Sequence, residues 1–250
     1  MKRYGLIGYP LGHSFSQGFF TEKFRTEGLD GCGYSNYPLA SIAELPDLIA
    51  SQAELEGLNV TIPYKQAVIP YLDELDPRAN EIGAVNCIRI LRNGKEVVLK
   101  GYNTDMPGFE ASLLDLIGER RPDALVLGTG GASKAVACAL RRLNIRFHLV
   151  SRSGDGKEML SYAGLTPEWI GKSPLIINTT PLGTFPHTES LPDIPYEAVG
   201  REHFLHDLVY NPAETAFLRQ GRMRGATVKN GYAMLVGQAE RSWEIWNGKE

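Results

Sequence analysis

Cysteine is scarce in this chain: three residues in 250, Cys32, Cys87 and Cys138. An odd number without the paired spacing of a zinc site excludes a disulfide framework and a thiolate metal centre as organising devices. The scarcity points to a reducing compartment, so a cytoplasmic location is expected and no metal. An excess of basic charge is also missing, since 26 Lys and Arg stand against 29 Asp and Glu, for a formal net charge of −3. Nothing attracts the whole chain to nucleic acid or an anionic membrane, and neither is expected as a partner. No continuous apolar run approaches the roughly 18 residues that a membrane helix needs. The opening stretch "MKRYGLIGYPLGHS" meets Gly and Pro after a few apolar residues, short of the apolar core of a signal peptide, so secretion is not expected. Repeats and low-complexity tracts are absent as well.

What is present is an alternation of apolar strands with amphipathic helices, the pattern of an α/β architecture, at a length that accommodates two domains. The expected elements are a strand at "RYGLIGY", a helix over 16–26, a strand at "CGYSNYPL", a helix over 42–53 and a strand at "LNVTI". Two β-rich runs then flank Asn93 and Gly94, a pair suited to a type I′ turn, which predicts an antiparallel hairpin and the end of a first domain. A helix follows, with Thr104 or Asp105 as its N-cap. A second α/β unit continues through "ALVLGTGGASKAVACALRRL" and strands over 147–150, 175–178 and 204–208. The terminal helix "AMLVGQAERSWEIW" carries an apolar face that can return to the first domain.

In "LVLGTGGASKA" an apolar strand delivers Gly128, Gly130 and Gly131 to the start of a helix, where backbone N–H groups and the helix dipole can hold a pyrophosphate. Ser133 occupies the third position of the G-x-G-x-x-G pattern, and glycine clusters also make plain tight turns. The next strand ends in "HLVSRSGDGK" where a NAD site would place an acidic residue. Arg152 with Ser151 and Ser153 offers a guanidinium and hydroxyls that suit a 2′-phosphate, and therefore NADP. A solvated arginine remains the plain alternative, and Asp155 stands near enough to serve NAD.

The stretch "NVTIPYK" sets a lysine two residues after a proline. Proline is favoured at the first helical position, which predicts Lys65 in the first turn of a helix. There the helix dipole disfavours a cation by roughly 0.3–1 kcal/mol and eases loss of its proton. A solvated lysine is the commoner fate of such a residue, and an N-cap role that of Asp105.

Several stretches, in order over nearly the whole chain, together resemble the shikimate dehydrogenase family: "GYPLGHSFS" at 8–16, "NVTIPYK" at 59–65, "GAVNC" at 83–87, "NTD" at 103–105, "GTGGASKA" at 128–135, "INTTPLG" at 177–183, "DLVYNP" at 207–212 and "NGYAMLVGQA" at 230–239. The resemblance implies NADP-dependent interconversion of shikimate and 3-dehydroshikimate in aromatic amino-acid biosynthesis, by a monomer or homodimer. It implies an α/β protein of two domains: residues 1–103, joined by the helix 233–250, as a substrate domain with a mixed sheet, and residues 104–232 as a Rossmann-like NADP domain, with the active site in the cleft between them. Lys65 would be the proton donor and Asp105 its partner. Ser14 and Ser16 would hold the substrate carboxylate, Thr61, Asn86, Asp105 and Gln238 the ring hydroxyls, and Tyr210 would close the site. For the cofactor, the resemblance implies Gly128, Thr129, Gly130, Gly131 and Ala132 at the pyrophosphate, and Ser151, Arg152 and Ser153 at the adenosine phosphate. The "INTTPLG" loop with Thr179, and Leu208, Gly231 and Met234, would lie at the nicotinamide. Taken alone, Ser14 and Ser16 read equally as a turn at a helix start, Gln238 as a surface glutamine and Met234 as core.

The chain departs from the family's pattern at three places. Gln17 stands where a proline is usual, which would loosen the helix start beside the two serines. Cys87 replaces a threonine and loses a strong hydroxyl donor. After "SRS" the stretch "GDGKEMLSYAGLTPEWIGKS" is short and glycine-rich, so the helix usual there is expected to be missing or reduced to a turn. A quinate-type polyol dehydrogenase using NAD, a non-catalytic NADP-binding module and a folate-directed reductase are the alternatives.

Overall fold

A computed structural model of the chain describes residues 1–12, 14–94, 96–154 and 159–249. Two compact units divide it, Met1–Thr104 with Ala239–Glu250, and Asp105–Gln238. The boundary falls inside the last helix, not at its start.

The first unit is built on a six-stranded mixed sheet: β1 (Lys2–Gly8), β2 (Cys32–Pro38), β3 (Leu55–Val60), β4 (Glu74–Leu75), β5 (Cys87–Asn93) and β6 (Glu96–Tyr102), in the order β2-β1-β3-β5-β6-β4. β1 pairs in parallel with β2 and β3, whereas β5 pairs antiparallel with β3 and β6. Helix α1 (Phe15–Thr26) follows β1 and starts where Ser14 Oγ accepts the Gln17 N–H. The helix expected over 42–53 is a 3-10 turn over Ile42–Glu44 that runs into α2 (Leu45–Ser51). A capping box between Ser41 and Glu44 begins the turn, and Pro46 in the first turn begins the α-helix. The strand expected over 58–62 lies earlier, because its apolar run starts at the fully buried Leu55 and the chain leaves the sheet after Val60.

Pro63 proves to be the N-cap of α3 (Tyr64–Ala67), which has only four residues. Lys65 is thus in its first and last turn at once, and one turn of peptide dipoles is too short to present distinct ends. The helix dipole therefore does not set the charge state of this lysine. The hairpin turn is displaced by one residue: Asn93 closes the ladder opposite Glu96, Gly94 takes the first loop position with φ 62°, and Lys95 lies outside the described residues. Short helix α4 (Pro77–Ile82) is capped by Asp76 and ends at Gly83 in the left-handed conformation.

The second unit has an all-parallel six-stranded sheet in the order β12-β11-β10-β7-β8-β9. Its strands are β7 (Ala124–Leu127), β8 (Phe147–Ser151), β9 (Met159–Ser161), β10 (Leu175–Asn178), β11 (Phe204–Asp207) and β12 (Thr227–Lys229). Every residue of β7, β10 and β11 is buried, as expected for parallel strands covered on both faces. Helices α5 (Asp105–Ile117), α6 (Gly131–Arg142), α7 (Pro167–Lys172) and α8 (Ala216–Met223) complete it. Among the described residues no α-helix stands between β8 and β9, which pair in parallel. A 3-10 turn over Tyr162–Gly164 and the six-residue α7 follow β9.

Helix α9 (Tyr232–Trp246) ends the chain and contributes to both units. In the second unit its backbone at Met234 and Gln238 lies so close to Gly108 that a Cβ there would stand 2.8 and 3.0 Å away. In the first, Ala239, Ile245 and Trp246 enter an apolar cluster with Tyr4, Phe20 and Tyr34, and Trp246 Nε1 donates to Ile88 O at 3.0 Å. Among the described residues no helix is long and apolar enough to cross a membrane.

Candidate active site

In the second unit, strand order reverses between β7 and β10: the chain runs outward through β8 and β9, then through β11 and β12 on the other side. Ligands of open α/β sheets bind beyond the carboxyl ends of the strands at such a point. A cavity of about 410 Å³ opens there, lined by residues at or just beyond the carboxyl ends of β7, β8 and β10, among them Gly128, Thr129, Gly130, Ser151, Arg152 and Thr179. All six are among the residues expected to hold a cofactor.

The glycines have separate reasons to be glycine. Gly128 has φ 108°, and a Cβ on it would stand 2.8 Å from Thr179 Oγ1. A Cβ on Gly130 or Gly131 would meet no atom within 4 Å, so these two leave open space in front of the first turn of α6. Such a cradle of backbone N–H groups fits a pyrophosphate, and Gly130 itself is the N-cap. Ser133, in the third position of the pattern, is buried and donates through Oγ to Gly130 O at 2.6 Å, which ties the turn to the helix. Ala132 lies in the same turn of α6. Ser151 Oγ accepts the Ser153 N–H, which shapes the turn that carries Arg152. The cavity wall thus fits an adenosine phosphate, with Arg152 and Ser151 as its polar groups. Asp155, the alternative for NAD, lies outside the described residues.

Of the other lining residues, Thr180, Pro181 and Leu182 belong to the "INTTPLG" loop expected at the nicotinamide, while Tyr162 was not expected. Tyr162 carried no sequence signal, since it follows a strand that the pattern did not predict. Leu208 and Gly231 are brought together: a Cβ on Gly231 would overlap Leu208 O at 2.1 Å, and Gly231 N donates to Val209 O. Met234 is buried in α9, and Tyr210 is exposed. Gln238 is not a surface residue; it is buried, with Nε2 donating to Leu235 O at 3.0 Å. Asp105 is buried at the first position of α5.

In the first unit, Ser14 caps α1 and Ser16 is buried in its first turn. Thr61 follows β3, with its N–H donating to Ile7 O and its methyl group against Gly8. Lys65 lies on α3, half-buried, and its carbonyl accepts the Val85 N–H at 2.7 Å. A buried hydrogen-bond chain links Tyr34 to Asn86, a residue expected to bind substrate. The Tyr34 hydroxyl donates to Asn59 Oδ1 at 2.8 Å. Asn59 Nδ2 donates to Ser242 Oγ at 2.9 Å, and Ser242 meets Thr104 Oγ1 at 3.2 Å. Asn86 closes the chain by donating to Thr104 Oγ1 at 2.9 Å while its Oδ1 accepts the Thr104 N–H at 2.6 Å. Asn86 therefore braces Thr104, the residue before Asp105. Tyr34, Asn59 and Ser242 were invisible in the sequence, because each meets its partner across the fold.

Cys87 is fully buried within the cluster of Tyr4, Phe20 and Trp246, and burial pushes its thiol up to about 12. Its exchange for threonine changes a core contact with Ser242 and not an exposed donor.

A family description for the substrate binding domain of shikimate dehydrogenase matches residues 6–88. The NADP-dependent shikimate dehydrogenase of Halothermothrix orenii is 37% identical over 98% of this chain and 90% of its own length. That of Methanosphaera stadtmanae is 36% identical over 98% of this chain and 91% of its own. Among solved structures, shikimate 5-dehydrogenase from Thermus thermophilus in complex with NADP(H) and shikimate superposes with a TM-score of 0.85 at 31% identity, covering 99% of this chain and 94% of that one. The chain belongs to the shikimate dehydrogenase family.

Proposed function

We propose that this chain catalyses the reversible NADP-dependent reduction of 3-dehydroshikimate to shikimate. The observation that carries the reading is a relative of that activity 37% identical over 98% of the chain. The glycine cradle and Arg152 around the cavity of the second unit support the cofactor.

When bound, NADPH supplies the hydride that adds to the ring carbonyl carbon. The chain's own residues manage the oxygen and the remaining substituents. Lys65 Nζ donates the proton that turns the carbonyl oxygen into a hydroxyl and recovers it in oxidation, as a general acid–base group. The Asp105 carboxylate orients that amine. Ser14 and Ser16 hold the substrate carboxylate, and Thr61, Asn86, Asp105 and Gln238 read the ring hydroxyls, whose directional donors and acceptors suit such groups. Tyr210 covers the substrate. Arg152, with Ser151 and Ser153, takes the 2′-phosphate through the fork geometry that a guanidinium offers to phosphate. Gly128 to Ala132 take the pyrophosphate, while Thr179, Leu208, Gly231 and Met234 border the nicotinamide. In this reading the unit that starts at Met1 is the substrate domain and the other the NADP domain, in a cytoplasmic monomer or homodimer.

The test is oxidation of shikimate and of quinate by the purified protein with NADP⁺ or NAD⁺, followed by nicotinamide absorbance. Turnover with shikimate and NADP⁺ far above the other three pairs is the expected result. Preferential oxidation of quinate, or of either acid with NAD⁺, replaces the reading with that of another polyol dehydrogenase.

A further inference from the structure

We propose that Asp207, at the end of β11, is a positioning residue that sets the 179–182 loop walling the cofactor cavity, acting through Asn178. The inference rests on the NADP reading of that cavity.

Asp207 and Asn178 are fully buried, each at the last position of its strand, and they are paired in the parallel register of β10 and β11. Asp207 Oδ1 accepts from Asn178 Nδ2 and from Val209 N, both at 3.0 Å. Its Oδ2 accepts from Thr215 Oγ1 at 2.6 Å. With one donor of the Asn178 amide held in this way, its carbonyl oxygen is turned toward the loop. There it accepts from both Thr180 N at 3.0 Å and Thr180 Oγ1 at 2.6 Å. Thr180 Oγ1 in turn accepts the Leu182 N–H at 3.3 Å. Thr180, Pro181 and Leu182 all line the cavity.

A side-chain amide has two chemically different ends, and nothing in β10 alone decides which of them faces the loop. The carboxylate decides it, because it has no proton to offer and can meet only the NH₂ end. Without that acceptor the NH₂ end of Asn178 keeps only a long bond to Leu182 O at 3.4 Å, too weak to stop the amide from turning its donors toward the Thr180 N–H and releasing the loop. Asp207 touches neither cofactor nor substrate in this account. Its effect on the 179–182 loop passes through Asn178, while the same carboxylate also accepts from Val209 N and Thr215 Oγ1.

The experiment is NADPH binding, followed by fluorescence titration, for the wild type and the variants Asp207→Ala, Asp207→Asn, Asn178→Ala and the double alanine variant, each checked for folding by circular dichroism. Asp207→Ala is expected to weaken NADPH by about 10- to 100-fold, the factor that corresponds to a lost hydrogen bond to a charged group. Asp207→Asn keeps one carbonyl oxygen toward Asn178 and is expected to stay within about threefold of wild type. The double variant is expected to be no weaker than the worse single one, since both act on one relay. Folded Asp207→Ala that binds NADPH within about twofold of wild type, or losses that simply add, would overturn the proposal. Should Asp207→Ala fail to fold, Asn178→Ala carries the same test, and unchanged binding there overturns it equally. Failure of the wild type to bind NADPH is a different outcome, which removes the cofactor reading and this inference with it.

Discussion

Ser14 Oγ donates to Asn36 Oδ1 at 3.1 Å, and Asn36 gives its own amide to Gln17 Oε1 at 2.9 Å. The proton that Ser14 would offer to a substrate carboxylate is therefore already in use, and Gln17, where the family's proline is usual, keeps the amide in place. Far from loosening the start of α1, Gln17 joins a closed set of contacts around the cap.

Asn36→Ala is accordingly expected to improve shikimate binding. Freeing one neutral hydrogen bond, at about 0.5–1.5 kcal/mol, corresponds to a fall in KM of roughly two- to tenfold. Steady-state kinetics at saturating NADP⁺ checks it. A rise in KM would instead make Asn36 a direct ligand of the substrate.

Lys65→Ala is expected to reduce turnover by about 10²- to 10⁴-fold, the range of a general acid–base group, with NADPH affinity unchanged. The helix dipole contributes nothing to this expectation, since α3 is a single turn. Turnover equal to wild type would remove the lysine from the chemistry.

Arg152→Ala should weaken NADPH far more than NADH, because only the former carries the phosphate that a guanidinium fork matches. Two binding titrations suffice. Equal losses would mean that the 2′-phosphate is held by other groups.

Two neighbouring groups make stability depend on pH in opposite directions. Burial pushes the Asp207 carboxyl up to about 6, against the hydrogen bonds it accepts, and lowers His206 to about 3. A carboxyl raised in the folded state favours folding most at low pH, and that contribution is lost as pH rises from about 4 through 6. The scale is ~3 kcal/mol at 1.36 kcal/mol per pH unit. A histidine lowered in the folded state does the reverse: its contribution is present above about 6.5 and lost as the pH falls toward 3. Asp207→Asn leaves only the second effect. Urea unfolding at several pH values between 4 and 7 should show stability rising more steeply with pH in the variant than in wild type. Equal slopes would mean that the carboxyl titrates as it does in the unfolded chain.

The local sequence determined the elements whose information is short-range. The runs "ALVL" and "LII" are apolar throughout, as suits strands buried on both faces, and the glycines at 128, 130 and 131 announce a turn in front of a helix. The order of the motifs likewise sufficed to indicate the family. Where prediction missed, longer-range contacts decided. The 3-10 start of the 42–51 helix depends on a reciprocal cap, and the one-residue displacement of the hairpin turn depends on the register of a ladder. The relays from Tyr34 to Asn86 and from Asp207 to Thr180 join residues far apart in the chain, and no periodicity marks Tyr34, Asn59, Asn178 or Ser242 as members. Buried polar groups must find partners, but which partners they find is set by the distance between strands and helices once packed. For that reason most residues lining the cavity of the second unit could be anticipated from the sequence, while the way its side chains are held belonged to the tertiary structure alone.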